Sequence, residues 1–146
     1  KILITGSNGQ LGNELKKINT TGTAEIGAVS EEIKNSEVFA VDVDKLDITN
    51  LEQVKTVLKE VKPDVVINCA AATNVDGCEA IKFSFKINAL GPRNLAMVCE
   101  EIGAKIVQFT DYVFRGVGDT PLNESDIVAP VSSYGKTKLL GEEFVR

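Results

Sequence analysis

The stretch that decides the fold is Lys1-Ile-Leu-Ile-Thr-Gly-Ser-Asn-Gly-Gln-Leu-Gly12, at the start of the chain. Its first five residues form a short apolar run that ends at a glycine, which is typical of a strand buried on both faces of a parallel sheet. A helix is predicted directly after the glycines, over residues 10–18, with Leu11 and Leu15 on one face. The chain therefore opens with a strand, a glycine loop and a helix.

The same alternation of strands and helices continues along the chain. Further strands are predicted at 37–41, 64–68 and 105–109, and residues 19–36 are interpreted as a variable excursion with one helical turn. Alternation of this kind implies right-handed crossovers. The predicted fold class is therefore α/β, a Rossmann-type doubly wound parallel sheet, truncated before its last strands and the substrate domain.

Two of the predicted helices carry specific boundary signals. Asn50 is predicted to cap a helix that ends at Pro63, with Gln53 as its capping-box partner. The apolar stripe of this helix is Leu51, Val54, Val57, Leu58 and Val61. A long helical region over residues 79–102 is predicted to be interrupted at Gly91 and Pro92.

Composition restricts the classes of function. The 146 residues are 43% hydrophobic and 25% charged, with a net charge of -5, which indicates one globular domain. An acidic chain without a basic patch is not expected to bind nucleic acid or an anionic membrane. No apolar run approaches the roughly 20 residues that span a bilayer. We expect a cytoplasmic protein that binds neither nucleic acid nor membrane.

In doubly wound sheets, ligands bind at the carboxyl ends of the strands, and the glycine loop lies at such an end. Gly6, Gly9 and Gly12 have the spacing G-x-x-G-x-x-G, which lets the backbone approach a pyrophosphate at a helix N-terminus. Strand-to-helix turns in general also favour glycine, so the loop by itself is weak evidence.

Acidic residues follow the second strand. Asp42 falls at its carboxyl end, where a carboxylate can accept hydrogen bonds from the hydroxyls of an adenosine ribose. Asp47 can face the adenine amino group, with Ile48 against the ring. The same residues would also suit an ordinary solvated loop.

Tyr134 and Lys138 lie four positions apart on a predicted helix and therefore share a face. A neighbouring ammonium stabilises phenolate, and lowering a tyrosine pKa from about 10 to about 7 needs roughly 4 kcal/mol. Tyr134 would then be a proton donor near neutral pH. Many solvated helices carry such a pair by chance.

Thr110 and Asp111 follow the fourth strand. A hydroxyl there can hydrogen-bond a substrate carbonyl or the active tyrosine, and the carboxylate can hold sugar hydroxyls. All four groups of candidate residues occur at the carboxyl end of a predicted strand or in the helix that follows it.

Together these motifs resemble the dTDP-4-dehydrorhamnose reductase family of extended short-chain dehydrogenases. The resemblance covers essentially the whole chain and rests on five segments: Thr-Gly-Ser-Asn-Gly-Gln-Leu-Gly (5–12), Leu-Asp-Ile-Thr-Asn (46–50), Asn-Cys-Ala-Ala-Ala-Thr-Asn-Val-Asp (68–76), Thr-Asp-Tyr-Val-Phe (110–114) and Tyr-Gly-Lys-Thr-Lys (134–138). It implies reduction of the 4-keto group of dTDP-6-deoxy-L-lyxo-4-hexulose, the last step to dTDP-L-rhamnose.

The resemblance also implies roles for individual residues. Tyr134 would be the acid, Lys138 would hold the nicotinamide ribose, Thr110 would hydrogen-bond nearby and Asp111 would contact the substrate. The dinucleotide would be held by Gly9, Gln10 and Leu11 at the pyrophosphate, Asp42 at the ribose, Asp47 and Ile48 at the adenine, and Ala71, Ala72 and Thr73 at the inner half.

Cofactor and partners follow from the same resemblance. The cofactor is expected to be NADH or NADPH, because Asp42 favours NADH whereas family members also accept NADPH. Some members use magnesium at a dimer interface, so the resemblance implies a homodimer and magnesium. No metal ligand is predicted in this chain. The partner is a dTDP-sugar.

The sequence departs from the family pattern at two positions and in length. Ala72 stands where the family often has His, and Phe109 replaces the usual Ser. The chain starts without Met and ends within a predicted helix, so residues 1–146 are expected to be the dinucleotide-binding part of a longer protein. The missing portion would hold the nucleotide sugar, and without it we expect no efficient turnover.

Two other functions are compatible with these residues. One is a non-catalytic dinucleotide-binding subunit, such as the regulatory subunit of methionine adenosyltransferase; the retained Tyr134 and Lys138 favour the enzyme. The other is a nucleotide-sugar epimerase or dehydratase. Dehydratases commonly need an Asp-Glu pair beside Thr110, which Asp111 and Tyr112 do not supply.

Overall fold

The computed structural model describes residues 1–73, 81–115 and 121–146. Its elements in chain order are β1 (Ile2–Thr5), α1 (Gln10–Thr21), β2 (Thr23–Ala24), β3 (Gly27–Ala28), α2 (Glu31–Lys34), β4 (Val38–Ala40), α3 (Leu51–Val61), β5 (Val65–Asn68), α4 (Ile81–Phe85), a π-helical segment (Lys86–Leu90), α5 (Gly91–Ile102), β6 (Lys105–Gln108) and α6 (Ser133–Val145).

The central sheet is parallel and doubly wound, as predicted. Its strand order is β4-β1-β5-β6. The chain leaves β1 for β4 on one side and then returns to β5 on the other, so the strand order reverses at β1. Right-handed crossovers then place α1 on one face and α3 and α5 on the opposite face. A reversal of this kind opens a crevice at the carboxyl ends of the strands, which is the usual ligand site of such sheets.

The core lies between the sheet and the α3–α5 layer. Leu3 of β1 and Val66 of β5 are fully buried against Leu58 of α3 and Leu95 of α5. These strands carry the apolar runs that predicted them, and α3 buries the stripe that predicted it. In the part of the chain that the structure describes, no helix has both the length and the hydropathy to cross a membrane.

The N-terminus of α3 is capped differently from the prediction. The Asn50 side chain accepts hydrogen bonds from the N–H groups of Glu52 and Gln53, so the predicted cap is confirmed. The predicted capping box is wrong, because the Gln53 side chain accepts the N–H of Asp47 at 3.0 Å. Since the chain bends back at Asp47, its N–H is within reach of Gln53.

The excursion at residues 19–36 contains the predicted helical turn, α2, which Ser30 caps. It also contains a short antiparallel hairpin of β2 and β3, which was not predicted. Helix α1 extends to Thr21 and ends at Gly22 in the left-handed conformation. The strands β2 and β3 are only two residues each, Thr-Ala and Gly-Ala, which is too short for an alternating pattern to indicate them.

The predicted interruption at Gly91 and Pro92 is wrong. The described chain is helical from Ile81 to Ile102, and residues 79–80 lie outside the described part. The Gly91 N–H donates to the Lys86 carbonyl five residues back, the hydrogen bond of a π-helix. Pro92, which has no N–H to donate, stands in the first turn of α5, directly after the wider π-helical turn.

Candidate functional site

The carboxyl ends of the parallel strands open into a cavity of about 1010 Å³. Every site residue predicted from the sequence lines this cavity except Ala72. The predicted lining residues are Gly6, Gly9, Gln10, Leu11, Gly12, Asp42, Asp47, Ile48, Ala71, Thr73, Thr110, Asp111, Tyr134 and Lys138. Candidate residues from 5 chain segments thus meet at one end of the sheet, at the point where the strand order reverses.

Two glycines of the loop are required by close packing. Gly6 has a left-handed φ of 62°, and a Cβ at this position would lie 2.6 Å from the backbone nitrogen of Ala70. A Cβ at Gly12 would lie 2.6 Å from the Gly6 carbonyl oxygen. The loop after β1 therefore packs directly against the loop after β5 and against the first turn of α1, and no side chain fits between them.

The third glycine, Gly9, is the N-cap residue of α1. It supplies no side-chain cap, and the first turn of the helix carries no acidic residue. Helix geometry leaves the N–H groups of this turn without an intrahelical acceptor. Because Gly9 and Gln10 both line the cavity, the positive end of the helix dipole faces a space that an anion can enter.

Asp42 connects the end of β4 to the glycine loop. Its carboxylate accepts the Asn8 N–H and the Val43 N–H, each at 2.8 Å. Each carboxylate oxygen can accept more than one hydrogen bond, so Asp42 can hold the loop and still bind a hydroxyl in the cavity. The carboxylate also places a negative charge beside the loop.

Asp47 and Ile48 lie further along the same wall. Asp47 accepts hydrogen bonds from the Thr49 N–H and hydroxyl at 2.9 and 2.8 Å. Ile48 is only 4% exposed, belongs to the core and packs so closely on α5 that a Cβ at Gly91 would lie 2.5 Å from its Cδ1. The amide of Asn94 donates to the Ile48 carbonyl at 3.0 Å and holds this turn in place.

Tyr134, Lys138 and Asp111 meet at the opposite end of the cavity. The Tyr134 hydroxyl donates to the Asp111 carboxylate, 2.9 and 3.1 Å from its two oxygens. Tyr134 is 4% exposed. The sequence predicted that Thr110 hydrogen-bonds near the phenol and that Asp111 faces the substrate; the structure places the Asp111 carboxylate on the phenol, and Thr110 is an exposed residue of the cavity wall.

The Lys138 ammonium is held beside this pair. Its Nζ donates to the Phe109 carbonyl at 2.8 Å and lies 3.9 Å from Asp111 Oδ1. The side chain is 6% exposed, and this burial lowers the pKa of Lys138 below its ordinary value, while the Asp111 charge acts in the opposite direction. Lys138 is thus a buried cation between a carbonyl and a carboxylate.

The turn that carries Asp111 has an unusual backbone. Tyr112 has a left-handed φ of 57°, which is uncommon for a residue with a side chain. Its ring packs edge-on against Tyr134 with 5.9 Å between centroids, and a Cβ at Gly135 would lie 2.4 Å from its carbonyl oxygen. The close contact with α6 therefore holds the turn in the conformation that points Asp111 at Tyr134.

Sequence reasoning missed Asn88, which lies in the π-helical segment and is 2% exposed. Its side chain accepts the Ala72 N–H at 2.7 Å and donates to the Ala72 carbonyl at 3.1 Å and to the Thr137 hydroxyl at 3.2 Å. Ala72 therefore faces Asn88 through its backbone and does not line the cavity. A polar residue inside the apolar run from Ile87 to Leu90 was the signal that could have indicated it.

The residues around the cavity suit a dinucleotide. The glycine loop and the uncapped first turn of α1 suit a pyrophosphate. Asp42 and Lys138, at opposite ends of the cavity, can each hydrogen-bond a ribose hydroxyl. Over residues 1–73, 81–115 and 121–146, no group of three or more His, Cys, Asp or Glu side chains could hold a metal ion. Magnesium and a homodimer remain predictions.

Comparison with known proteins identifies close relatives. The family model described as the RmlD substrate binding domain matches residues 1–146. The chain is 38% identical, over 98% of its length, to a probable low-salt glycan biosynthesis reductase of Haloferax volcanii, of which it covers 48%.

Two solved structures of dTDP-4-dehydrorhamnose reductases are also similar. One, from Clostridium acetobutylicum, is 52% identical with a TM-score of 0.87, over 99% of this chain and 48% of that one. The other, from Bacillus anthracis in complex with NADP, is 38% identical with a TM-score of 0.85 and the same coverage. The chain thus spans about half the length of the relatives it matches.

Proposed function

The chain belongs to the RmlD substrate-binding domain family, and on this premise we propose that it forms the dinucleotide-binding half of a dTDP-4-dehydrorhamnose reductase. The whole protein would reduce the 4-keto group of dTDP-6-deoxy-L-lyxo-4-hexulose to give dTDP-L-rhamnose in the cytoplasm. The observation that carries the proposal is the meeting of Tyr134, Lys138 and Asp111 in the cavity that the glycine loop also lines. An acid and a dinucleotide cradle in one cavity are what a carbonyl reductase needs.

The glycine loop and its neighbours would hold the cofactor. Gly9, Gln10 and Leu11 present the first turn of α1 to the pyrophosphate, and Asp42 would bind the adenosine ribose. Asp47 and Ile48 line the wall where the adenine would lie, whereas Ala71 and Thr73 line the inner part of the cavity. Ala72 would contribute through its backbone link to Asn88 rather than by contact.

The bound dinucleotide would supply the hydride for the carbonyl carbon. Tyr134 would give its phenolic proton to the developing alkoxide, and the Lys138 ammonium would stabilise the phenolate that remains. The substrate carbonyl must take the place of Asp111 as the acceptor of the Tyr134 hydroxyl. Displaced in this way, Asp111 would be free to accept hydrogen bonds from the sugar hydroxyls.

Asp42 would favour NADH over NADPH. Its carboxylate is held at the glycine loop by the Asn8 and Val43 N–H groups, and a 2'-phosphate there would meet a fixed negative charge. The relative from Bacillus anthracis was solved with NADP, so both cofactors need testing. We expect Asp42→Ala to improve use of NADPH relative to NADH, and an unchanged ratio would contradict this role.

The experiment that tests the function uses the full-length protein. NADH and NADPH oxidation is followed with dTDP-6-deoxy-L-lyxo-4-hexulose, and Tyr134→Phe serves as the control because it keeps the ring and removes only the proton donor. Turnover that falls at least about a hundredfold in this variant would support the reductase. Tight dinucleotide binding without turnover would contradict it and favour a non-catalytic dinucleotide-binding subunit.

A further inference from the structure

Three polar side chains form a row across the carboxyl edge of the sheet. Thr5, Asn68 and Gln108 are the last residues of β1, β5 and β6, and they are register partners across the two strand pairs. Residues in register on neighbouring parallel strands point to the same face of a sheet. Thr5 and Asn68 are each 1% exposed, so this polar row is built into the interior.

The row is joined by hydrogen bonds and ends at Lys138. The Thr5 hydroxyl donates to Asn68 Oδ1, and Asn68 Nδ2 donates to Gln108 Oε1 at 2.7 Å. Gln108 Nε2 then donates to the Phe109 carbonyl at 2.8 Å. That carbonyl also accepts the Lys138 ammonium, at 2.8 Å.

The direction of these bonds is determined by the backbone. Asn68 Oδ1 also accepts the N–H of Ala70, which can only donate. The other end of the Asn68 amide must therefore donate, so Gln108 must turn its oxygen toward Asn68 and its nitrogen toward Phe109. Reversing one amide would place two acceptors or two donors face to face beside the buried Asn68, which is costly.

This arrangement fixes the carbonyl on which Lys138 depends. The ammonium is nearly enclosed and needs an acceptor, since an unpaired buried charge is costly. The Phe109 carbonyl lies just past the end of β6, and among the described residues no backbone N–H donates to it. The Gln108 side chain bonds the carbonyl on the other side and keeps it turned toward the ammonium.

We propose that Gln108 is a positioning residue, which holds the Phe109 carbonyl and through it sets the place of the Lys138 ammonium beside Tyr134. Gln108 acts through Lys138 and does not itself touch the substrate. The catalytic consequence rests on the proposed reductase function, whereas the position of the ammonium does not.

The direct test observes the ammonium of Lys138 by nitrogen-15 NMR, with the signal identified by its loss in Lys138→Met. Burial and hydrogen bonding slow exchange of its protons with water. Gln108→Met has nearly the same shape and lacks the amide donor to Phe109. We expect exchange at Lys138 to accelerate about tenfold, the size of effect that the loss of one hydrogen bond on its carbonyl acceptor can have. The control is Lys105→Met, an exposed position at the other end of β6.

The kinetic test uses the full-length protein. We expect Gln108→Met to lower kcat about tenfold with little change in the sugar KM, because Lys138 assists the proton donor. It should also lower the thermal midpoint, because Asn68 Nδ2 loses its acceptor. Gln108→Glu keeps an acceptor for Asn68 but loses the donor to Phe109. It should therefore fail to restore kcat, although it preserves the rest of the row.

The outcomes separate the inference from the function. Unchanged exchange at Lys138 in Gln108→Met, or wild-type kcat in Gln108→Glu, would overturn the positioning role. A wild-type protein that lacks turnover would contradict the reductase, and the NMR comparison would still decide whether Gln108 holds the ammonium.

Discussion

The Tyr134 hydroxyl donates to the Asp111 carboxylate, with 2.9 and 3.1 Å between the hydroxyl oxygen and the two carboxylate oxygens. The proposed proton donor is therefore already paired with an acceptor before substrate binds. A negative charge at this place favours the neutral phenol over phenolate. Tyr134, the proposed proton donor, therefore lies next to Asp111, whose charge opposes ionisation of the phenol.

The first prediction concerns this pair. Asp111→Asn removes the negative charge and keeps the shape, so we expect phenolate at Tyr134 to form at lower pH than in the parent protein. Residues 1–146 contain two tyrosines, and Tyr112→Phe as a common background leaves Tyr134 as the only phenol among these residues. Ultraviolet absorbance then follows its ionisation, and identical titration curves with and without Asp111 would refute the electrostatic coupling.

A second prediction concerns Lys138 and pH. Burial lowers the pKa of Lys138, so between this lowered pKa and the ordinary value of 10.5 the unfolded chain binds more protons than the folded one. The contribution of Lys138 to stability therefore increases with pH across that window, and below it the full cost of the buried charge is present.

Lys138→Met removes this cost, and we expect it to raise the thermal midpoint near pH 7 while it abolishes turnover. The advantage over wild type should shrink as the pH approaches 10.5. Thermal unfolding across this range checks the sign. Lys136→Met, at an exposed position on the same helix, is the matched control and should show no such trend.

The third prediction compares two glycines with similar backbone angles. Gly6 and Gly103 have φ values of 62° and 72°, but only Gly6 has backbone within reach of an added Cβ. Gly103→Ala should therefore cost only the left-handed penalty, about 1 kcal/mol in the free energy of unfolding. Gly6→Ala adds a clash with Ala70 and should cost about 3 kcal/mol or more.

Denaturant unfolding of both variants measures this difference. Gly6→Ala should also lose dinucleotide binding, because the loop can no longer pack against Ala70, whereas Gly103→Ala should bind normally. Equal costs for the two substitutions would show that the close approach at Gly6 is not what requires glycine there.

The fourth prediction concerns two buried asparagines. Asn88→Ala removes the hydrogen bonds of Asn88 to both backbone groups of Ala72 and to the Thr137 hydroxyl, and should cost about 3 kcal/mol of unfolding free energy. Asn94→Ala removes donors to the Ile48 and Thr49 carbonyls, toward the proposed adenine end, and should cost a similar amount.

The two variants should differ in function. Asn88 links Ala72 to Thr137, the residue directly before Lys138 on α6, so its loss should lower kcat of the full-length protein. The loss of Asn94 should instead raise the KM for the dinucleotide. If both variants changed kcat and KM alike, the assignment of Asn88 to the catalytic end of the cavity and of Asn94 to the adenine end would be wrong.

Local patterns predicted most of the architecture. The apolar run before Gly6 and the stripe on α3 identified the strands and helices that form the core. They wrongly predicted an interruption at Gly91, where a π-helical hydrogen bond continues the helix through Gly91 and Pro92. They also wrongly predicted a capping box at Gln53, whose side chain accepts the Asp47 N–H. Both failures involve hydrogen bonds that depend on how the chain bends rather than on residue type.

The sequence predicted which residues line the cavity, but it did not predict which of them form hydrogen bonds with each other. Glycine spacing and the positions of acids after strands indicated which residues face the cavity, because the carboxyl ends of parallel strands lie at one edge of a sheet. That Asp111 rather than Thr110 bonds Tyr134 depends on the left-handed turn at Tyr112 and its contact with Gly135.

The sequence by itself determined that this chain is a parallel α/β sheet with a glycine loop before α1, because short-range hydrophobic spacing and glycine placement specify these elements. Only the tertiary structure decided the polar connections. Asn68 reaches Thr5 across 63 positions and Gln108 across 40, and these contacts exist because strand register brings the three side chains into one row. Register arises from packing of the whole sheet, which no local segment encodes.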